Sequence, residues 1–248
     1  MHPIIFSIGS VNIYSYGVML ALAFVVVAFC IYKRSPSFGL DKNIMLDLLF
    51  GILIFGLIGA RILHVFLDKE YYMKYPLEIL KVYNGGLSVQ GGMFAGLVFA
   101  LFFLRKKKID IFKAGDLFVP FIALGQSIGR IGCFLNGCCY GAVTSSCFGV
   151  IFSSQEIPRH PTQLYAALAL FFVFIILLIF QQKKIFYSDL LYIYIMLYSF
   201  QRIIVDFFRV DISMLKFGMS VGQLISIVFF IIAFGGLLWK NKQNKNTN

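Results

Sequence analysis

Seven times along this chain of 248 residues, a run of mostly apolar side chains reaches the length at which a helix crosses a bilayer. The hydrocarbon core is about 30 Å thick and takes roughly 20 helical residues to span. The runs fall near 13–32, 44–67, 87–104, 114–135, 163–180, 187–208 and 217–239. Backbone polar groups in hydrocarbon must be satisfied internally, so runs of this length span as helices. The stretches between them, chiefly 68–86 and 136–162, leave no room for a soluble domain. The expectation is an all-α polytopic membrane protein with about seven transmembrane helices, a single membrane domain over 1–248 with a short external head segment at about 136–162. Charge content agrees, since 13% of residues are charged where soluble domains carry about a quarter.

The residues before the first run, MHPIIFSIGSVN, contain no Lys or Arg to form the positive end of a signal peptide, so the first run reads as a retained helix. Thirteen Lys and Arg lie in alternate loops on one side, five on the other (Lys69, Lys74, Lys81, Arg159 and Lys216). Cytoplasmic loops carry the excess, which places the N-terminus outside and the C-terminus in the cytoplasm. The net charge of +11 does not call for nucleic acid, because the basic residues form short clusters at helix ends, where anionic lipid head groups attract them.

Four arginines stand apart from those clusters: Arg61, Arg130, Arg202 and Arg209. Within or beside a span, an ionised side chain costs a few kcal/mol or more unless it faces a partner or a wet cavity. Tyr198, Arg202, Asp206 and Arg209 recur at spacings of four, four and three, which puts them on one helix face. That face reads either as a structural Arg202–Asp206 pair with a snorkelling Arg209 or as a functional surface. Arg61 has His64 one turn away, an imidazole that suits an interface as well as a ligand. Between 84 and 96 five glycines surround Ser88 and Gln90, a pattern that permits close helix packing or close approach of a ligand to the backbone.

The stretch GRIGCFLNGCCYG, residues 129–141, ends the fourth run. With the orientation above, Arg130, Arg61, Arg209, Gln90 and Asn136 all lie near the external leaflet. Cationic groups gathered there suit a phospholipid phosphate, whose oxygens match the arginine fork in pairs. Cys133, Cys138, Cys139 and Cys147 follow C-x4-CC-x7-C, without the paired spacing of a zinc site. A disulfide and plain packing of small side chains both fit them. Cys30, alone in mid-helix, reads as packing.

The chain resembles the bacterial prolipoprotein diacylglyceryl transferase family along nearly its whole length. The pieces that carry the resemblance are IIFSIGSVNIYSYG at 4–17, GARI at 59–62, NGGLSVQGG at 84–92, GRIGCFLNGCCYG at 129–141, RHPTQLY at 159–165, YSFQRIIVDFFR at 198–209 and GMSVGQ at 218–223. The resemblance implies a seven-helix inner-membrane enzyme that moves a diacylglyceryl group from phosphatidylglycerol to the lipobox cysteine of a preprolipoprotein, releasing glycerol phosphate. It implies catalytic roles for Arg202, Tyr16 and Tyr198, and Gln90 is expected at the catalytic position where it replaces a family residue. Arg130, Asn136, Gly141, Arg61, Arg209, Asp206 and His160 go to substrate binding. No cofactor or metal is expected, and the expected partners are phosphatidylglycerol, the lipobox peptide and surrounding membrane lipids, with the protein a monomer.

Certain positions depart from the family pattern. Gln90 stands where the family usually has His, Cys133 and Cys138 where it has Asn and Glu, and Ala166 where it has Glu. Asp206 shortens the family's carboxylate. Two other readings therefore stand beside the transferase: an enzyme of the same fold acting on another acceptor, or a non-catalytic phospholipid-binding or transport protein.

Overall fold

The structure is a computed structural model that describes residues 3–8, 11–82, 85–153, 155–183, 189–209 and 219–246. A two-stranded antiparallel hairpin, β1 (Ile4–Ile8) and β2 (Val11–Tyr14), precedes α1 (Ser15–Arg34). There follow α2 (Lys42–Leu67), the short α3 (Lys69–Lys74), α4 (Val89–Lys106), α5 (Ile111–Asn136), α6 (Thr162–Gln182), α7 (Leu190–Asp206) and α8 (Val221–Asn246). Among the described residues six helical segments are long and apolar enough to cross a membrane: Ser15–Phe38, Lys42–Leu67, Val89–Lys106, Ile111–Asn136, Thr162–Gln182 and Val221–Lys240. The protein is an all-α, multi-pass membrane protein.

The sixth expected span corresponds to α7, whose 17 residues measure about 25 Å at 1.5 Å per residue. That is short of the hydrocarbon core, and α7 is the helix in which Arg202 and Asp206 interrupt the apolar run. Residues 187–188 of the sixth expected span and 217–218 of the seventh lie outside the described residues, as do Asn84 and Lys216.

The chain divides into two compact units, one of residues 31–114 and one of residues 1–30 with 115–248. In the 31–114 unit, α2 packs against α4 almost backbone to backbone. A Cβ at Gly59 would lie 2.7 Å from the Gly91 carbonyl oxygen, and one at Gly91 would lie 2.6 Å from Leu63 Cβ. Small residues at such a seam let helices gain dispersion contacts that larger side chains would block. Phe55 and Phe99 stack at 4.5 Å beside it.

In the other unit, Val119, Ala123, Val173, Leu177 and Leu190 form a core between α5, α6 and α7. Pro120 lies inside α5 and has no N–H for the Asp116 carbonyl one turn back. The Gln181 side-chain amide of α6 donates to that carbonyl at 2.7 Å. Ser127 of α5 donates to the Ala167 carbonyl at 2.7 Å, and Tyr194 of α7 donates to Gln126 at 3.0 Å. These bonds satisfy polar groups where water is absent and fix α5 to both neighbours.

Candidate functional site

The last turn of α5 closes in a Schellman cap. Gly137 adopts φ 74°, its N–H bonds the Phe134 carbonyl at 3.0 Å, and the Cys138 N–H reaches back to the Cys133 carbonyl at 3.2 Å. Six residues before the helix end, Arg130 is half-buried. Between them Gly132 makes room for α1: a Cβ there would lie 3.0 Å from Met19 Cβ and 3.3 Å from Tyr16 Cδ2. The Tyr16 ring therefore lies against α5, and its hydroxyl is within electrostatic reach of Arg130, Cys133, Cys138 and Cys139. Among the described residues no carboxylate pairs with Arg130.

On α7, Arg202 Nη2 lies 3.3 Å from Asp206 Oδ1, and the Asp206 side chain is fully buried. Its other oxygen, Oδ2, accepts a hydrogen bond from the Ser220 hydroxyl at 3.2 Å. Ser220 in turn belongs to the capping box of α8. The Gln223 N–H donates to Ser220 Oγ, and the Ser220 N–H donates to Gln223 Oε1, both at 2.9 Å. A helix cap thus orients the carboxylate that orients Arg202. Arg130, Tyr198 and Arg209 all lie within electrostatic reach of Arg202. Arg209 Nε is buried without a hydrogen-bond partner among the described residues, an arrangement that costs stability unless an anion meets it.

The segment between α5 and α6 ties these helices together. Gly141 N–H donates to the His160 carbonyl and Ala142 N–H to the Phe208 carbonyl, both at 2.8 Å. A Cβ at Gly141 would lie 2.7 Å from Thr162 Cγ2 and 3.0 Å from His160 Cβ, so only glycine fits where three segments meet. Thr162 Oγ1 donates to the Cys139 carbonyl at 2.9 Å, and Gln163 Nε2 to the Cys138 carbonyl at 2.6 Å. Arg159 donates to Gln155 Oε1 at 2.8 Å and packs over the Tyr140 ring at 5.1 Å, above the wholly buried Phe152.

His160 Nδ1 is 3.1 Å from the Tyr165 hydroxyl. Both residues line an apolar cavity of about 730 Å³, together with Leu197, Gln201, Ile204 and Phe208. On α7, Leu197, Gln201 and Ile204 lie on a different face from Tyr198, Arg202 and Asp206, and Phe208 follows two residues past the helix end.

Cys133, Cys138, Cys139 and Cys147 form no disulfide. Cys138 Sγ is 3.5 Å from Cys139 Sγ. Hydrogen bonds from Cys133, then from Cys139 and from Asn136, hold the Cys138 thiol below the usual thiol range.

Of the residues singled out in the sequence, the structure gathers Tyr16, Arg130, Asn136, Gly141, His160, Tyr198, Arg202, Asp206 and Arg209 in one unit. Arg61 and Gln90 belong to the other. Arg61 is buried, and its guanidinium is given to backbone carbonyls: Nε to Ile79 at 3.0 Å, Nη1 to Gly85 at 2.7 Å and Gly86 at 2.9 Å, and Nη2 to Glu78. It also lies over the Tyr72 ring at 5.1 Å. Gln90 is exposed at the start of α4 and accepts from the Ser88 hydroxyl at 3.0 Å. Sequence reasoning assigned nothing to Ser220 and Gln223, although S-x-x-Q before an apolar run signals a capping box.

Comparison with known proteins gives a consistent answer. The family described as prolipoprotein diacylglyceryl transferase matches residues 3–239. The chain is 34% identical over 241 residues to a phosphatidylglycerol--prolipoprotein diacylglyceryl transferase of Clostridium tetani, covering 94% of this chain and 95% of that protein. A protein of the same name from Wolbachia pipientis is 35% identical over 94% of this chain and 92% of its own, and one from Finegoldia magna is 32% identical over 93% and 92%. A match running from the hairpin into α8, with relatives of one name aligned over nearly their full length, means that the chain belongs to the prolipoprotein diacylglyceryl transferase family.

Proposed function

We propose that this protein transfers the diacylglyceryl group of phosphatidylglycerol to the cysteine of a prolipoprotein, the activity named for its relatives. One observation carries the reading: three guanidinium groups, Arg130, Arg202 and Arg209, lie within electrostatic reach of one another through Arg202, and Asp206 is the only carboxylate paired with them among the described residues. Such a surplus of fixed positive charge in a membrane protein suits a phosphodiester.

The acceptor thiolate attacks the terminal glyceryl carbon of the lipid, a C–S bond forms, and the carbon–oxygen bond to phosphate breaks. Charge then develops on the departing glycerol phosphate. Arg130 and Arg202 meet it with donors already oriented, and preorganised donors aimed at developing charge are among the largest contributions to catalysis. Tyr16 and Tyr198 supply hydroxyls at the same place, while Asn136 and Gly141 shape its edge. Asp206 positions Arg202, and Arg209 adds charge for the head group. His160 belongs to the neighbouring apolar wall.

In the 31–114 unit, Arg61 fastens the backbone at Glu78, Ile79, Gly85 and Gly86, and the Gln90 amide cannot take a proton at neutral pH. The protein acts in the bacterial inner membrane as a monomer, with the N-terminus and the 136–162 head segment outside, as the Lys and Arg distribution favours.

The test is release of glycerol phosphate from phosphatidylglycerol vesicles on addition of a lipobox peptide. Peptide-dependent release is the expected result. Retained lipid binding without any release would overturn the transferase reading in favour of a lipid binder.

A further inference from the structure

A Schellman cap brings the side chain of the third residue from the helix end beside that of the second residue past the cap, and the contact is ordinarily apolar. Here those residues are Cys133 and Cys138, so the cap of α5 sets two thiols side by side, with the Cys138 Sγ donating to the Cys133 carbonyl at 3.7 Å. We propose that Cys133 and Cys138 are a reversible oxidation site, a dithiol that a peroxide converts into a disulfide one turn from Arg130.

The geometry selects the pair. Cys138 Sγ lies 3.7 Å from the Cys133 carbonyl oxygen across the cap, which sets the two side chains beside each other. The Cys138 and Cys139 sulfurs are 3.5 Å apart, but a disulfide between adjacent residues would close a small ring through their peptide bond, which the trans planar geometry resists. Cys139 has φ 65°, and its carbonyl is held by Thr162, so its backbone is not free to adjust. It serves instead as an S–H donor to Cys138.

Cys138 is half-buried, two residues beyond the end of α5, and is faced by Cys133 and Asn136 of α5, Cys139 of the following turn and Tyr16 of α1. The surrounding donors favour its thiolate, and the thiolate is the form that reacts with peroxide. Its sulfur attacks one oxygen of hydrogen peroxide, the O–O bond breaks and hydroxide leaves, giving a sulfenic acid. Cys133 sulfur then attacks that sulfur, its proton joins the departing hydroxyl, and water is released as the S–S bond forms. With the proton first lost by Cys138, two thiols and one peroxide give one disulfide and two waters. A neighbouring thiol is what stops a sulfenic acid from proceeding to the irreversible acids.

The proposal does not depend on the transfer reaction and is tested on the full chain. In a Cys139→Ser, Cys147→Ser background, the tryptic peptide 131–159 retains Cys133 and Cys138 as its only thiols. After hydrogen peroxide and maleimide treatment, its mass should show the loss of two hydrogens and no maleimide. Dithiothreitol should then restore two labelling sites. Maleimide on both thiols after peroxide, or addition of two oxygens that dithiothreitol cannot remove, would overturn the proposal. Should that background fail to fold, fragmentation of the same peptide from the unsubstituted protein decides the matter. Missing cleavages between residues 133 and 138 support the pair, whereas missing cleavages confined to the 138–139 bond assign the disulfide to the adjacent cysteines and overturn it.

Discussion

Arg61 and Arg130 each stand six residues before the last residue of a helix long enough to cross the membrane, yet their surroundings differ in kind. Arg61 gives its guanidinium to the backbone carbonyls of Glu78, Ile79, Gly85 and Gly86. Arg130 has neither a carbonyl cage nor a carboxylate partner among the described residues, and it shares its neighbourhood with Tyr16, a thiol cluster and a second arginine. The first is a fastening; in the proposed reaction the second is a receptor. Both cations resist burial in hydrocarbon, and what separates them is whether the compensating negative charge belongs to the chain or must arrive from outside.

The largest effect that would sharpen this contrast is loss of the receptor. Arg130→Ala should lower peptide-dependent glycerol phosphate release about 10²- to 10³-fold, the effect of removing one preorganised donor, while the thermal unfolding midpoint stays near that of the unsubstituted protein. Arg61→Lys should act in the opposite sense. A single ammonium cannot reach four carbonyls, and the cost of leaving some unmet is about 2 kcal/mol of stability. Heating followed by size exclusion should show early aggregation, with phosphatidylglycerol affinity of the surviving fold unchanged. Weakened lipid affinity at unaltered thermal stability would erase the distinction and make Arg61 a receptor as well.

Ser220→Ala should remove the Asp206 contact and half of the α8 capping box, for about 1 kcal/mol of stability. Because Asp206 positions Arg202, the variant should also lose turnover, and an unaltered rate would show that Arg202 holds its place without α8. The smallest effect concerns the thiols. Oxidising Cys133 and Cys138 exchanges two thiols near Arg130 for one neutral disulfide, so the oxidised protein should bind phosphatidylglycerol vesicles within a few-fold of the reduced protein. Vesicle flotation with and without dithiothreitol measures it, and a larger change would show that the α5 cap itself helps to hold the lipid.

How much of this was legible in the sequence depends on how local its cause is. The spans were legible because apolar length is a property of one segment, and the shared face of Tyr198, Arg202 and Asp206 followed from helical periodicity. The cage around Arg61 was not, because its acceptors are carbonyls 17 to 25 residues away, and every residue has a carbonyl. The paired thiols lay in between. Asn136-Gly137 after a long helix announces a cap, and counting from it puts Cys133 and Cys138 in contact, but the spacing C-x4-C by itself announces nothing. α7 was misjudged in length because apolar residues continue past Asp206, while the helix does not.

Asp206 is held by residues from another helix, and this restricts how the site can change over generations. Its Oδ2 lies 2.7 Å from the point that a side chain at residue 222 would occupy, and the same oxygen takes the Ser220 hydroxyl. Glycine at 222 and serine at 220 are therefore tolerable or intolerable according to what stands at 206. Substitutions at these three positions should be harmful one at a time and acceptable in combination. A lineage could then pass from one arginine-orienting acid to another only through a short list of intermediates, and the order of the steps would matter as much as their number.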